Sequence, residues 1–348
     1  MNKRNPFGAK LNFNTGVVEM IHGAGGKASS QLIDQLFVAA FDNDMLNEHS
    51  DQAKITLPEG QVVMATDSHV ITPLFFSGGN IGSLAIHGTV NDVSMSGATP
   101  LYVSAGFILE EGYPLKDLKL IVESMAEAAR EAGVAVVAGD TKVVEKGKAD
   151  GVFINTTGVG VITNGVDLSV NKIQPGDKVL ISGSMGDHGV CIMSKRANIG
   201  FESNLESDSA SLNWLVSDML SQVPGIKYMR DPTRGGVSAI LNEIAYQCGV
   251  GIRLEEDQLP IKEAVRSGCE LLGLDPLYVA NEGKLIAFCP AEFADQLVDT
   301  MRQHPLGKDA AIIGEVIEDE NGFVQLQTSF GGSRVVDWIN GEQLPRIC

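Results

Sequence analysis

Between residues 62 and 162 the apolar pattern switches back and forth between the alternation of a strand and the longer period of a helix. A chain patterned this way can bury its apolar faces only as helices layered on a sheet. Residues 62–65 with Asp67 read as a strand ending in a carboxylate, 81–96 as a helix, and 101–109 as a strand with Val103, Ala105 and Phe107 on one face. Residues 114–132 carry the clearest helix, with Leu118, Ile121, Val122, Met125 and Ala129 on one stripe and Gly133 as the stop. A strand at 134–138 runs into Gly139-Asp140-Thr141-Lys142, and a glycine-interrupted strand at 152–162 closes this half. Residues 164–177, with Gly165, Pro175 and Gly176, read as a connection. The second half repeats the mixture, with strands at 178–181, 284–289, 311–317 and 323–327. Its helices fall at 212–223, at 236–247 and on the stripe Phe293, Leu297, Met301. The expected fold is α+β in two lobes, 1–163 and 164–338, followed at 339–348 by an extended tail without helix or strand pattern. A chain of 348 residues is long enough to bury two cores.

Asp plus Glu number 44 against 26 Lys plus Arg, a net charge of −18. That charge repels nucleic-acid phosphates and anionic membrane surfaces, so a polyphosphate substrate must arrive with a metal cation. No apolar stretch approaches the length of a membrane span, and residues 1–10 lack the apolar segment of a secretory leader. The cysteines are Cys191, Cys248, Cys269, Cys289 and Cys348, with no C-x-x-C pair for a zinc ribbon or a redox motif. An odd count without a leader points to a reducing, cytoplasmic setting.

Candidate chemistry falls in a few places. Gly23-Ala24-Gly25-Gly26-Lys27 offers closely spaced backbone N–H groups that either cradle phosphate or form a plain turn. It is not a Walker loop, because Ile21 and Ala28 stand where that motif needs Gly and Ser or Thr. Asp51, Asp67, Asp92, Asp140 and Asp231 lie at element ends or glycine turns. Each alone reads as a cap or turn residue; together, with no Cys/His set, they suit Mg²⁺ bridging phosphates. Glu282, ahead of Gly283, is a poised base or a turn carboxylate, and Lys142 either neutralises phosphoryl charge or sits solvated on the surface. His22 and His188 each flank a glycine turn and either orient a partner or are structural. Cys348, the last residue of the sequence, is the sharpest feature. A free thiol on a tail is a liability unless used, and the eight residues from Gly341 span roughly 26–29 Å when extended.

In chain order, these motifs resemble the HypE family of hydrogenase maturation proteins. The matching stretches begin with His22-Gly23-Ala24-Gly25-Gly26, Thr66-Asp67-Ser68, Gly78-Gly79-Asn80-Ile81-Gly82, Asn91-Asp92-Val93 and Gly139-Asp140-Thr141-Lys142. They continue with Gly186-Asp187-His188-Gly189, Asp231-Pro232-Thr233-Arg234-Gly235-Gly236, Asn281-Glu282-Gly283-Lys284 and Pro345-Arg346-Ile347-Cys348. The Asp motifs alone indicate the wider superfamily of aminoimidazole ribonucleotide synthetase, selenophosphate synthetase and thiamine monophosphate kinase. The Pro-Arg-Ile-Cys end narrows it.

The resemblance implies an N-terminal α/β lobe (1–163) that binds ATP and pairs its sheet with a second copy. It implies a C-terminal split β-α-β lobe with helices on one face, and a flexible tail ending in the carrier cysteine. It implies ATP held by Gly23, Gly25, Gly26, Lys27, Thr141, Gly235 and Gly236, and Mg²⁺ on Asp51, Asp67, Asp92, Asp140 and Asp231. The implied reaction dehydrates a carbamoyl group on Cys348 to a thiocyanate, with Glu282 as base and Lys142 stabilising phosphoryl charge. A carbamoyltransferase loads the thiol, and an iron-carrying scaffold complex accepts the cyanide for a [NiFe] centre. Two rival readings follow from the same motifs: a phosphoryl-transferring relative such as a selenophosphate synthetase, and an ATP-binding assembly scaffold without turnover. The first relative carries a Cys or selenocysteine ahead of its glycine loop, whereas the first cysteine here is Cys191.

Overall fold

The computed structural model describes residues 10–163, 165–198, 205–339, 341 and 344–348. Residues 1–9, Asn164 of the connection, residues 199–204, and Asn340, Glu342 and Gln343 of the tail lie outside the described residues.

The N-terminal lobe is built on β1 (Gln61–His69), α1 (Ile81–Met95), β2 (Thr99–Glu110), α2 (Leu115–Ala132), β3 (Ala135–Val144) and β4 (Val152–Ile162). The sheet order is β1-β4-β2-β3, antiparallel except for the β2/β3 pair. Asn80 caps α1, its Oδ1 accepting from the backbone of Gly82 and Ser83. The α2 stripe of Leu118, Ile121, Val122, Met125 and Ala129 is buried, and Gly133 takes the left-handed conformation that ends the helix. Gly82 lets α1 and α2 cross closely, because a Cβ there would stand 2.1 Å from Ile121 O. Both helices pack on one face of the sheet. The other face, carrying Val62, Met64, Tyr102, Ile108, Asn155 and Asp140, is covered by no helix among the described residues, and Met64 is 72% exposed.

The second lobe contains β5 (Asp177–Ile181), α3 (Asp187–Arg196), α4 (Asn213–Gln222), β6 (Tyr228–Arg230), α5 (Gly236–Cys248), β7 (Gly251–Glu255), α6 (Glu263–Leu272), β8 (Ile286–Pro290), α7 (Ala291–Gln303), β9 (Ala311–Ile317), β10 (Val324–Gln327) and β11 (Ser333–Val335). They form a seven-stranded sheet in the order β11-β10-β7-β9-β5-β8-β6. Helices cover both faces, which corrects the expectation of one. Val179, Ile181, Ile286 and Phe288 pack with α5, while the alternate residues Leu180, Ala287 and Cys289 pack with α4 and α7.

Three local readings also change. Neither Asp67 nor Asp140 ends its strand: β1 continues to His69, paired with β4, and β3 to Val144, because Val143 and Val144 keep pairing with β2. The glycine turn at 186–189 is the first turn of α3, with Gly186 as its N-cap at φ +87°. Asp51 stands at no element end and is exposed in a loop. Among the described residues no helix is long and apolar enough to cross a membrane.

Candidate active site

The cleft between the lobes gathers residues from both. Asp67 and His69, two apart on β1, point to the same side, with Asp67 Oδ2 3.7 Å from His69 Nε2. Asp92 lies on the last turn of α1. The second lobe contributes Asp231 and Arg234 from the turn before α5, and Glu282 from the approach to β8. Cys348 reaches the same place from the tail.

Burial pushes the Cys348 thiol up to about 12, with the negative charges of Glu282 and Asp67 adding to the effect and Arg234 opposing it. Glu282 is 3% exposed and held well above the carboxylate range by burial and by Asp231, Asp208, Asp67 and Asp92. Its Oε1 has no hydrogen-bond partner among the described residues. Asp231 is pushed up to about 6, mainly by burial. Asp92 is pushed up to about 7 by lost hydration, then by Asp231 and Asp67. Although the side chain is open to the surface, the cleft walls remove enough water, and the neighbouring carboxylates enough stability, to favour its neutral form.

Asn91 stitches the lobes beside this cluster. Its Nδ2–H groups donate to Ala210 O (3.0 Å) and Glu282 O (3.3 Å), and its Oδ1 accepts from Leu212 N at 2.7 Å. Behind Glu282, Lys284 pairs with buried Asp208 at 3.1 Å, and Asp208 also accepts from the backbone of Glu282 and Gly283.

The tail is docked. Val70 N donates to the main-chain oxygen of Cys348 (3.0 Å) and Thr72 N to Arg346 O (3.3 Å). Ile347 is 4% exposed and joins the core of the N-terminal lobe.

The remaining candidates stand elsewhere in the chain. Gly23 packs on β3, where a Cβ would meet Val143 N at 2.9 Å, while Gly25 and Gly26 border open space. Beside that loop Asp140 pairs with Lys142 at 2.7 Å, on the uncovered sheet face, and this lysine holds the Asp140 carboxyl down. Thr141 lies between them on β3. This group is at the β3 edge, three strand spacings, about 14 Å, from β1. Gly235 and Gly236 lie beside Asp231. Gly236 has a structural reason to be glycine, since at φ +61° a Cβ would stand 2.6–2.7 Å from Val279 O and Leu277 O.

Of the five candidate metal aspartates, Asp67, Asp92 and Asp231 come together, whereas Asp140 and Asp51 do not join them. Among the described residues no three His, Cys, Asp or Glu side chains converge on one metal position. Mg²⁺ fits such a cluster nonetheless, because it takes one or two carboxylates plus phosphate oxygens and water. The unpartnered Glu282 oxygen and the raised Asp92 and Asp231 mark buried acidic groups that Arg230 and Arg234 do not fully compensate.

The two halves match the AIR synthase related protein families, the N-terminal domain over residues 49–162 and the C-terminal domain over 174–327. The chain is 63% identical over 340 residues to the carbamoyl dehydratase HypE of Azotobacter vinelandii, covering 98% of this chain and all of that one. The chain belongs to the HypE family. A HypE crystal structure in complex with ATP superposes with a TM-score of 0.92 at 48% identity, covering 95% of this chain and 99% of the other. HypE in a HypE–HypF complex superposes at 0.78 with 49% identity, covering 88% and 99%. Of the sequence candidates the structure gathers Asp67, Asp92, Asp231, Glu282 and Cys348, and beside them stand Asn91, Arg234, Asp208 and Lys284, which sequence reasoning passed over. Arg234 and Lys284 stood inside quoted motifs, whereas Asp208 lies in an aperiodic stretch that gave no signal.

The crowded carboxylates make a stability prediction for the protein in chelator. Asp92 titrates in the folded chain near 7 and in an unfolded chain near the ordinary Asp value, so between them the folded state holds the extra proton. Stability therefore falls as pH rises through that window. Asp92→Asn should raise the melting temperature at pH 8 by a few degrees and flatten its decline between pH 5 and 8, while weakening Mg-ATP binding at least tenfold by calorimetry. An unchanged pH profile would remove Asp92 from the charge cluster.

Proposed function

We propose that the protein is an ATP-dependent carbamoyl dehydratase, converting an S-carbamoyl group on Cys348 to a thiocyanate that supplies a cyanide ligand for hydrogenase maturation. The observation that carries this reading is a cysteine docked beside a buried glutamate and aspartates from two lobes, in a chain 63% identical to a carbamoyl dehydratase.

The chemistry follows from the groups present. A carboxamide does not lose oxide, so its oxygen attacks the γ-phosphorus of ATP; the bond to the β–γ bridging oxygen breaks and ADP leaves. One N–H proton is lost as C=N forms. The C–O bond then breaks, phosphate departs with the electron pair, and loss of the second N–H proton gives S–C≡N. In sum, thiocarbamate and ATP become thiocyanate, ADP and phosphate. Asp67, Asp92 and Asp231 are the residues that would hold Mg²⁺, which supplies neutralisation of phosphate charge. Arg234 faces the same thiol and lends positive charge. Glu282 is the proton acceptor in this scheme. Burial and the neighbouring carboxylates push its pKa up, and positive charge arriving in the cluster would ready it to accept a proton.

The proposal extends to assembly. Two copies pair through the uncovered sheet face, about a two-fold axis parallel to the strands, which sets the β3 edge of one beside the β1 edge of the other. Gly23, Gly25, Gly26, Lys27, Asp140, Thr141 and Lys142 of one copy then complete the site that holds Cys348 of the other. Residues 1–163 are the ATP-binding and dimerisation half, 164–338 the second half, and 339–348 the carrier. The complex formed by the HypE–HypF relative supports a carbamoyltransferase as the loading partner. An iron-carrying scaffold that accepts cyanide, Mg²⁺ as the cation and a cytoplasmic location belong to the same proposal.

Intact mass spectrometry tests it. Incubation with the carbamoyl donor system should add one carbamoyl group at Cys348, and Mg-ATP should then remove one water. ATP turnover without mass loss would favour a phosphoryl-transferring relative, and no turnover at all a scaffold.

A further inference from the structure

We propose that α3 is the latch of the carrier tail: His188 at its start and Arg196 at its end grip residues 345–347 by their main-chain oxygens and set how much of the time Cys348 stands in the site. The inference deepens the dehydratase reading and rests on it only for what the docked thiol does.

His188 is fully buried, and its Nε2 lies 2.8 Å from Ile347 O, while Nδ1 lies 2.8 Å from Ser207 Oγ. A carbonyl only accepts, so the proton sits on Nε2 and Ser207 donates to Nδ1. Ser207 is itself fixed, its N–H donating to Ser77 O at 2.9 Å. The Phe76 ring meets the imidazole edge-on, 5.6 Å between centroids. At the other end of the helix, Arg196 donates from Nε to Thr72 O (2.5 Å), from Nη1 to Pro345 O (2.6 Å) and from Nη2 to Arg346 O. Between the two grips Leu344 packs with Val190, Val265 and Val279.

Each polar contact that His188 and Arg196 make to the tail falls on main chain, and none involves the sulfur. The latch therefore holds Cys348 whether the thiol is bare or loaded, and selects position rather than cargo. Loading requires release: the docked sulfur is partly buried in a cleft and unionised, unable to reach a donor enzyme or to attack as a thiolate. A weaker latch should thus favour loading and hinder dehydration, opposite effects on two steps that a generally loosened fold would not produce.

The test reads the tail without turnover. The full-length, otherwise native protein is treated with a bulky maleimide, and modification of the Cys348 peptide is followed by mass spectrometry. His188→Phe keeps a ring of similar shape but removes both hydrogen bonds, and should raise the alkylation rate about tenfold, the factor that one ordinary hydrogen bond carries. His188→Gln, which retains an N–H donor, should restore most of the protection. Arg196→Met, at the partly exposed end of the helix, should act like His188→Phe, and decides the matter if His188→Phe does not fold. Loaded by the carbamoyl donor, both variants should accept the group at least as fast as the native chain yet dehydrate it more slowly at saturating Mg-ATP. Unchanged alkylation in folded variants would overturn the latch. Faster alkylation in the variants, with no dehydration by the native protein, would keep the latch and discard the dehydratase reading.

Discussion

Cys348→Ala should give a folded protein that binds ATP and accepts no carbamoyl group, a complete loss on intact mass spectrometry. The other four cysteines are held in α3, α5, α6 and β8, whereas Cys348 alone stands on the tail. Cys191, Cys269 and Cys289 are buried, and burial pushes the thiols of all four upward, those of Cys269 and Cys289 to about 11 and about 12. A carbamoyl group found on any of them would move the carrier. The same variant tests assembly. If Asp140 of one copy serves Cys348 of the other, mixing Cys348→Ala with Asp140→Asn, each inactive alone, restores one complete site in half of the randomly formed dimers, about a quarter of native activity. No recovery after verified subunit exchange would place both residues in a single-chain site.

Glu282→Gln should accept the carbamoyl group and bind Mg-ATP, then stop before thiocyanate, with the rate down by about 10²- to 10⁴-fold, the range of a lost general base. Gln keeps the shape and fills the same buried space but cannot take a proton. The variant should also melt higher than the native protein in chelator, because it removes a carboxyl that Asp231, Asp208, Asp67 and Asp92 crowd. Higher stability with loss of turnover separates a functional charge from a structural one. Normal dehydration would assign the protons to another acceptor.

Much of the architecture was legible because it is written locally. The stripe from Leu118 to Ala129 fixes α2, and the alternation Val103, Ala105, Phe107 fixes the buried face of β2. Asp67, Asp92, Asp231, Glu282 and Cys348 were legible as residues because each sits in a short motif. Their division into two places was not. Asp140 and Lys142 share a strand with a buried start and an exposed end, and the three strand spacings between β3 and β1 arise from sheet order, which no local pattern encodes. Asn91 was read only as the neighbour of Asp92, since its partners at Ala210, Leu212 and Glu282 lie more than a hundred residues away. The helices at 213–222 and 291–303 were read, but their placement on the opposite face of the sheet from α5 was not, for a related reason. Strands buried on both faces, such as β5 and β8, read as plain apolar runs and do not announce how many sides are covered.

The Asn91 stitch bears on what sets the pace of a catalytic cycle. One side chain closes three hydrogen bonds across the lobes, and opening them would strand buried donors and acceptors at about 1–3 kcal/mol each. In the proposed cycle the lobes then act as a single stator, and the travelling part is a short peptide. Hinged halves move on the microsecond-to-millisecond scale, whereas a terminus diffuses in nanoseconds to microseconds. Transit of the sulfur then costs almost no time, and the clock of the shuttle is the dwell at each end, set by how many bonds must break before it leaves.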